Sequence, residues 1–281
     1  MSKIGIIINS SGRPDGVRTT AQMPSSWKDF TVIAVPYDQA KAYRRHNDWP
    51  VMRIPSEVPQ YLSYQRQWAI ENMPCYNAVW FMDDDLRFQC RRTEGDVKLS
   101  TCTREELKTM LRTVEDTVYS ENIPLVGISA VFGNNRVEET HKDICRVSGC
   151  YCIRKRVFRK VGATFLYGGL MMQDFHVILT FLENGYRNRS LYTFAYDAGA
   201  SNTPGGCSVY RNEKTLAASA KRLAQLHPKS VTVQRKKTKH SWQGFEKDKN
   251  GMIIRTDVVV QWKKAYVPKR KKNEGIARLL S

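Results

Sequence analysis

Ala78-Val-Trp-Phe-Met-Asp-Asp-Asp-Leu-Arg-Phe88 is the stretch whose reading decides the fold. Its opening apolar run is short and unbroken, which reads as a strand covered on both faces, and it runs straight into three carboxylates. A strand of that kind belongs to a sheet with helices on either side. In open sheets of this type, ligands bind beyond the carboxyl ends of the strands, where the aspartates fall. Three adjacent carboxylates repel one another, and burial raises their pKa values unless a cation sits among them. Their hard oxygens suit Mg²⁺ or Mn²⁺, which keep waters and complete their shell from a phosphorylated substrate. The alternative is an acidic turn after an ordinary strand. Leu86 and Phe88 continue the apolar pattern without a Gly or Pro, which favours the metal.

Further strands flank this one. Ile4-Gly-Ile-Ile-Ile8 ends in Asn9-Ser-Ser-Gly-Arg-Pro14, and residues 31–35 repeat the pattern. Residues 19–27 are compatible with a short helix that Pro24 cuts, and residues 60–72 with a longer one. Thr103 opens the clearest helix. Its hydroxyl and Glu106 form a T-x-x-E capping box, and Leu107, Met110, Leu111, Val114 and Val118 make one stripe behind it. A strand follows at 125–131. Helices alternating with short apolar strands over the first 200 residues predict an α/β fold, a single Rossmann-type sandwich with a mostly parallel central sheet.

The 281 residues are 41% hydrophobic and 10% aromatic, which supplies a core and excludes whole-chain disorder. Charge is unusual: 45 Lys and Arg against 27 Asp and Glu leave +18. Residues 232–281 alone hold 14 of those cations and 4 of the anions. We therefore expect two regions, a core over 1–228 and a basic, partly folded C-terminal extension over 229–281. Its densest runs are Arg235, Lys236, Lys237 and Lys239, then Lys269, Arg270, Lys271 and Lys272. A charge run is often only a solvated face. Interleaved Trp242, Phe245, Trp262 and Tyr266 favour nucleic acid, where cations track phosphates and rings stack on bases. No apolar run reaches 18 residues, so no membrane span is expected. No signal-peptide core is present either, which points to a cytoplasmic location. Seven irregularly spaced cysteines suggest reduced thiols.

Asp174 opens another helical stretch. Phe175, Ile178, Leu179 and Leu182 form its apolar stripe and Gly185 its stop, so the carboxylate lies at a helix N-terminus. Dipole stabilisation or capping accounts for an Asp there. The preceding Tyr167-Gly-Gly-Leu-Met-Met172, read as a flexible apolar loop, can instead place the carboxylate at a cleft. The Gly-rich segment from Tyr196 to Arg211 is either a lid, with Gly205 and Gly206 allowing close backbone approach, or a surface connection.

Taken together, these segments resemble the GT-A glycosyltransferases. Val79-Trp-Phe-Met-Asp-Asp-Asp-Leu-Arg-Phe88 is similar to the family's DxD segment, and Asn9-Ser-Ser-Gly-Arg-Pro14 to its first donor loop. Val32-Ile-Ala-Val-Pro36 with Tyr43 resembles the second strand, and Ser63-Tyr-Gln-Arg66 the arginine facing the donor diphosphate. Met172-Gln-Asp174 with Leu182-Glu-Asn-Gly-Tyr186 resembles the acceptor-side motif, with Gln where the family has Glu. The resemblance implies that Asn9, Ser10, Arg13, Tyr43, Arg66, Asp83 and Asp84 bind the donor. It further implies that Asp83 and Asp85 hold Mn²⁺ or Mg²⁺ with His227 or His240 completing the shell, and that Asp174 is the general base of an inverting transfer; retention stays open.

With its basic extension, the chain looks like the phage DNA-modifying branch associated with TET-type oxygenases. That resemblance implies a UDP-sugar donor, the hydroxymethyl group of 5-hydroxymethylcytosine in DNA as acceptor, and the host cytoplasm as location. A glycan, lipid-linked or protein acceptor is the alternative. A metal-dependent nuclease or nucleotidyltransferase would explain the aspartates but not the donor-like loops, and a purely DNA-binding module would leave the carboxylates unexplained.

Overall fold

Ile4, Ile6 and Ile8 point to one face of a sheet and Ile7 to the other, as do Ala78, Trp80 and Met82 against Val79 and Phe81. Both faces are covered, which is why these runs are apolar throughout. A computed structural model of the chain describes residues 3–73, 75–92, 97–134, 137–198, 205–238, 245 and 247–268. The strands are β1 (Ile4–Asn9), β2 (Thr31–Pro36), β3 (Val51–Ile54), β4 (Ala78–Asp83), β5 (Arg87–Cys90) and β6 (Ser100–Thr101). They continue as β7 (Leu125–Ala130), β8 (His141–Asp143), β9 (Cys150–Arg154), β10 (Asn188–Asp197), β11 (Val231–Thr238) and β12 (Ile253–Val260). The helices are α1 (Ala40–His46), α2 (Leu62–Glu71), α3 (Arg104–Tyr119), α4 (Val131–Asn134), α5 (Lys155–Lys160), α6 (Gln173–Glu183), α7 (Glu213–Leu226) and α8 (Trp262–Ala265).

The main sheet runs β3-β2-β1-β4-β9-β7-β10-β5-β6, with β8 beside β10. Along its centre β3, β2, β1, β4, β7 and β10 share one direction and β9 is reversed between β4 and β7. The expected α/β layer with a mostly parallel central sheet is therefore present. On one face, Leu107, Met110, Val114 and Val118 of α3 pack with Trp27 and Trp80. On the other, α2, α6 and α7 cover Phe81 and Tyr151.

One segment differs from expectation, and another shows how it is attached. Pro24 does not merely shorten a helix over 19–27: the chain makes two separate 3₁₀ turns, Thr19–Ala21 and Ser25–Phe30, on either side of it. The basic segment is tied to the core, through residues 231–238 and 253–267. β11 and β12 form a hairpin whose Val231 and Val258 join the core beside α7, and Ala265 of α8 joins them. Glu213, at the start of α7, accepts from the backbone N–H and the hydroxyl of Thr256. The seven cysteines are free thiols. Among the described residues no helix is long and apolar enough to cross a membrane.

Candidate active site

At the carboxyl ends of β1 and β4 opens a cleft of about 560 Å³, and its chemistry begins at the aspartate turn. β4 ends at Asp83, and residues 84–86 fold over against the loop before the first 3₁₀ turn. Thr19 Oγ1 donates to the Asp83 carbonyl at 2.6 Å and accepts from Leu86 N at 2.9 Å, while Arg18 N and Thr19 N donate to the Asp84 carbonyl. The three side chains then separate in role. Asp83 keeps 39% of its side-chain area open to the cleft and pairs with Arg66 at 2.8 Å. Asp84 turns inward, accepting from the Ser10 hydroxyl and pairing with Arg13 at 3.3 Å. Asp85 faces the cleft edge and meets the other guanidinium nitrogen of Arg13 at 3.6 Å. Burial raises all three carboxyl pKa values, that of Asp84 to about 6, with Arg66 opposing at Asp83 and Arg13 at Asp84 and Asp85.

Behind this turn stands the expected donor loop. Ser10 and Arg13 are held by Tyr43, whose hydroxyl lies 2.7 Å from Ser10 Oγ and accepts from Arg13 N at 3.1 Å. Tyr43 is fully buried, so it supports the loop from beneath and does not line the cleft. Asn9 does line it, and both polar atoms of its amide are buried without a partner, a demand that a ligand can meet. Arg66, only 3% exposed, is carried in by α2 and lies over the rings of Phe81 and Tyr151. That stacking fixes the guanidinium while leaving it paired with Asp83.

Asp174 lines the same cleft, in the first turn of α6, and its charge is felt by both Arg66 and Asp83. The loop that delivers it is pinned and not slack. Tyr167 Oη donates to the Met171 carbonyl, Met171 N donates to Ser219 Oγ on α7 at 3.1 Å, and Met172 holds the left-handed conformation at φ 61°. Gln173, in the position where the family has Glu, is buried beneath it.

His227 does not reach the aspartates. Its Nδ1 lies 2.9 Å from Glu183 and its Nε2 2.9 Å from His176 Nδ1, so both ring nitrogens are spent on tying α7 to α6. The expected completion of a metal shell by His227 is thus corrected: its position after a helical stretch made it the C-cap of α7, buried and pointing away. His240 lies outside the described residues. Among the described residues no three side chains of ligating type cluster as a metal site.

Gly205 and Gly206 do permit a close approach, to the chain's own loop after β1. Gly206 N donates to the Ser11 carbonyl at 2.9 Å, both glycines have positive φ, and a Cβ on Gly206 would stand 2.8 Å from Arg13 Nη2. Several cleft residues carried no sequence signal: Arg146, and Arg255, Thr256 and Asp257 from the hairpin. With them the cleft holds five arginines and five aspartates. Its charge is balanced, so the chain's excess of +18 lies elsewhere.

Of the expected nucleic-acid contacts, Arg235 pairs with Glu213 and Lys237 with Asp248 on the exposed hairpin, and Lys236 is exposed beside them. Lys239, Lys269, Arg270, Lys271 and Lys272 lie outside the described residues.

The fold is a single Rossmann-type layer with its cleft at the carboxyl ends of the strands, and the family match makes the chain a glycosyltransferase. Its family is narrower. The model of the TET-associated glycosyltransferases matches residues 4–206, and the chain belongs to that family. No curated protein matches it. Among solved structures, residues 1–349 of S. aureus TarS are similar at 12% identity over 79% of this chain and 66% of that one, with a TM-score of 0.47. The same fragment in complex with UDP-GlcNAc gives 13% identity, 79% and 67% coverage and a TM-score of 0.45. Mannose-1-phosphate geranyltransferase from Thermus thermophilus gives 12%, 70%, 76% and 0.40. The chain spans just under two thirds of the first TarS fragment.

Proposed function

We propose that the chain transfers a sugar from a UDP-sugar to the hydroxymethyl group of 5-hydroxymethylcytosine in phage DNA, with inversion and with Asp174 as general base. The observation that carries this reading is a single cleft lined both by Asp174 and by the arginine-paired aspartates. Membership of a TET-associated family supports the acceptor, since hydroxymethylpyrimidine is what that association implies.

In the reaction, the Asp174 carboxylate takes the hydroxymethyl proton while that oxygen bonds to the anomeric carbon. The bond from the same carbon to the diphosphate oxygen breaks, and UDP leaves. Arg13 and Arg66, held at the aspartate turn, face the departing diphosphate and offset its charge. Asn9 supplies an unpartnered amide for the donor, and Tyr43 and Asp84 keep Ser10 and Arg13 in place. A hard divalent cation fits the donor set, because Mg²⁺ and Mn²⁺ bind through one or two carboxylates plus substrate phosphates and need no third protein ligand. Asp83 and Asp85 would hold it, and when bound it neutralises charge developing on the diphosphate.

The test is incubation of hydroxymethylated duplex DNA with a panel of UDP-sugars, followed by mass spectrometry of the nucleosides. A glycosylated 5-hydroxymethylcytosine is expected, lost on chelation. Asp174→Asn should slow transfer about 10²–10⁴-fold while leaving UDP affinity intact. Transfer only to glycan, lipid or protein overturns the acceptor, and an undiminished rate in the variant overturns the base.

A further inference from the structure

A second concavity lies beside the first and shares a residue with it. About 590 Å³ in volume, it is lined by Lys142, Arg146, Lys263 and Lys264 together with Tyr192 and Trp262. No carboxylate lines it, and no ion pair among the described residues engages any of the four cations. Arg235 and Lys237 on the hairpin are by contrast already neutralised. Uncompensated cations around a hollow focus a positive potential that only an anion relieves.

The hollow is held in shape from both sides. On one, Ile144 adopts φ 54°, a left-handed conformation that β-branched residues avoid. The fully buried Asn188 clamps it there: Asn188 Nδ2 donates to the Cys145 carbonyl at 2.6 Å, and Ile144 N donates to the Asn188 carbonyl at 3.0 Å. That turn sets Lys142 and Arg146 on the rim. On the other side, α8 is docked by Trp262 against Phe175, with ring centroids 5.6 Å apart, and Lys263 and Lys264 project beside it. The Arg146 guanidinium lies 4.6 Å over the same Phe175 ring and lines both hollows. Arg146 thus joins the basic hollow to the cleft that Asp174 and Phe175 line.

We propose that this hollow is the seat of the acceptor strand, its phosphodiesters held by Lys142, Arg146, Lys263 and Lys264 and a base laid against Trp262 or Tyr192. The proposal rests on the reading of DNA as acceptor and places the strand away from the hairpin runs. Cations with interleaved rings are the composition of a sequence-tolerant strand groove, and recognition of the hydroxymethyl group is then left to the neighbouring cleft. A concave slot also suits a strand better than the plane of a membrane.

The test measures affinity of the full chain for a fluorescent duplex containing 5-hydroxymethylcytosine at several salt concentrations. Neutralising Lys263→Gln and Lys264→Gln together should flatten the slope of log affinity against log salt by about 1.8, and Lys142→Gln alone by about 0.9. The same charge loss at the exposed Lys41 and Lys160 is the comparison, expected to leave most of the slope. Lys263→Arg and Lys264→Arg together should keep it, which a folding defect would not allow. Equal flattening in the comparison variant, or none at 263 and 264, overturns the placement while transfer to DNA persists. A wild-type chain that neither binds nor modifies the duplex overturns the DNA reading and this proposal with it. So does binding to phosphatidylserine vesicles in place of the duplex.

Discussion

His176 stacks on Tyr167 with ring centroids 5.1 Å apart and passes a hydrogen bond to His227, which passes one to Glu183. Burial, then His227 and Arg222, push its pKa down to about 4 from an ordinary 6.5. The unfolded chain therefore binds a proton at this residue between those two values and the folded chain does not. Folding stability should fall as pH drops from about 6.5 to about 4 and level off below, where both states are protonated. Urea denaturation across that window checks this. His176→Gln should flatten the profile, and an unchanged slope would show that His176 exchanges no proton free energy with folding.

α3 is stabilised at its first turn. Glu106 N donates to Thr103 Oγ1 at 3.2 Å and Thr103 N donates to Glu106 Oε2 at 2.7 Å; the second bond, helped by the Thr103 hydroxyl and Arg92, holds the Glu106 carboxyl down to about 2. Thr103→Ala should cost about 1 kcal/mol, read as a lower urea midpoint with unchanged m-value. This helix was legible in the sequence because cap and stripe are neighbours along the chain, and the runs at 4–8, 31–35 and 78–82 were legible for the same reason. The aspartate turn and Asp174 could be located in this way too. What holds them could not, because Arg66 meets Asp83 across 17 residues, Asn188 clamps Cys145 across 43 and Glu213 captures Thr256 across 43. Such pairings have no local period. Arg146 stands in a stretch without motif and became a cleft residue only through that clamp, and His227 looked available because Glu183 lies 44 residues away.

For the whole molecule, the sequence suggested a division at residue 228, and the fold argues that stability crosses it. Val231, Val258 and Ala265 are buried in the same core as Leu223 of α7 and Phe181 of α6, and Glu213 is bonded to the hairpin. A chain ending at Pro228 should expose that apolar face, leave Glu213 without its partners, and melt at lower temperature or aggregate. A soluble 1–228 fragment with a cooperative melt like that of the full chain would show that the hairpin is a separable addition.

β4 sits between β1, already synthesised, and β9, which begins at Cys150. On the ribosome its apolar run therefore waits with one bare edge for roughly 3–13 s at ordinary elongation rates of about 5–20 residues per second. A naked edge of Val, Trp, Phe and Met is a template for pairing with another nascent chain. The aspartates that follow it repel such a partner, so in the growing polypeptide they act as gatekeepers before they have any ligand to hold.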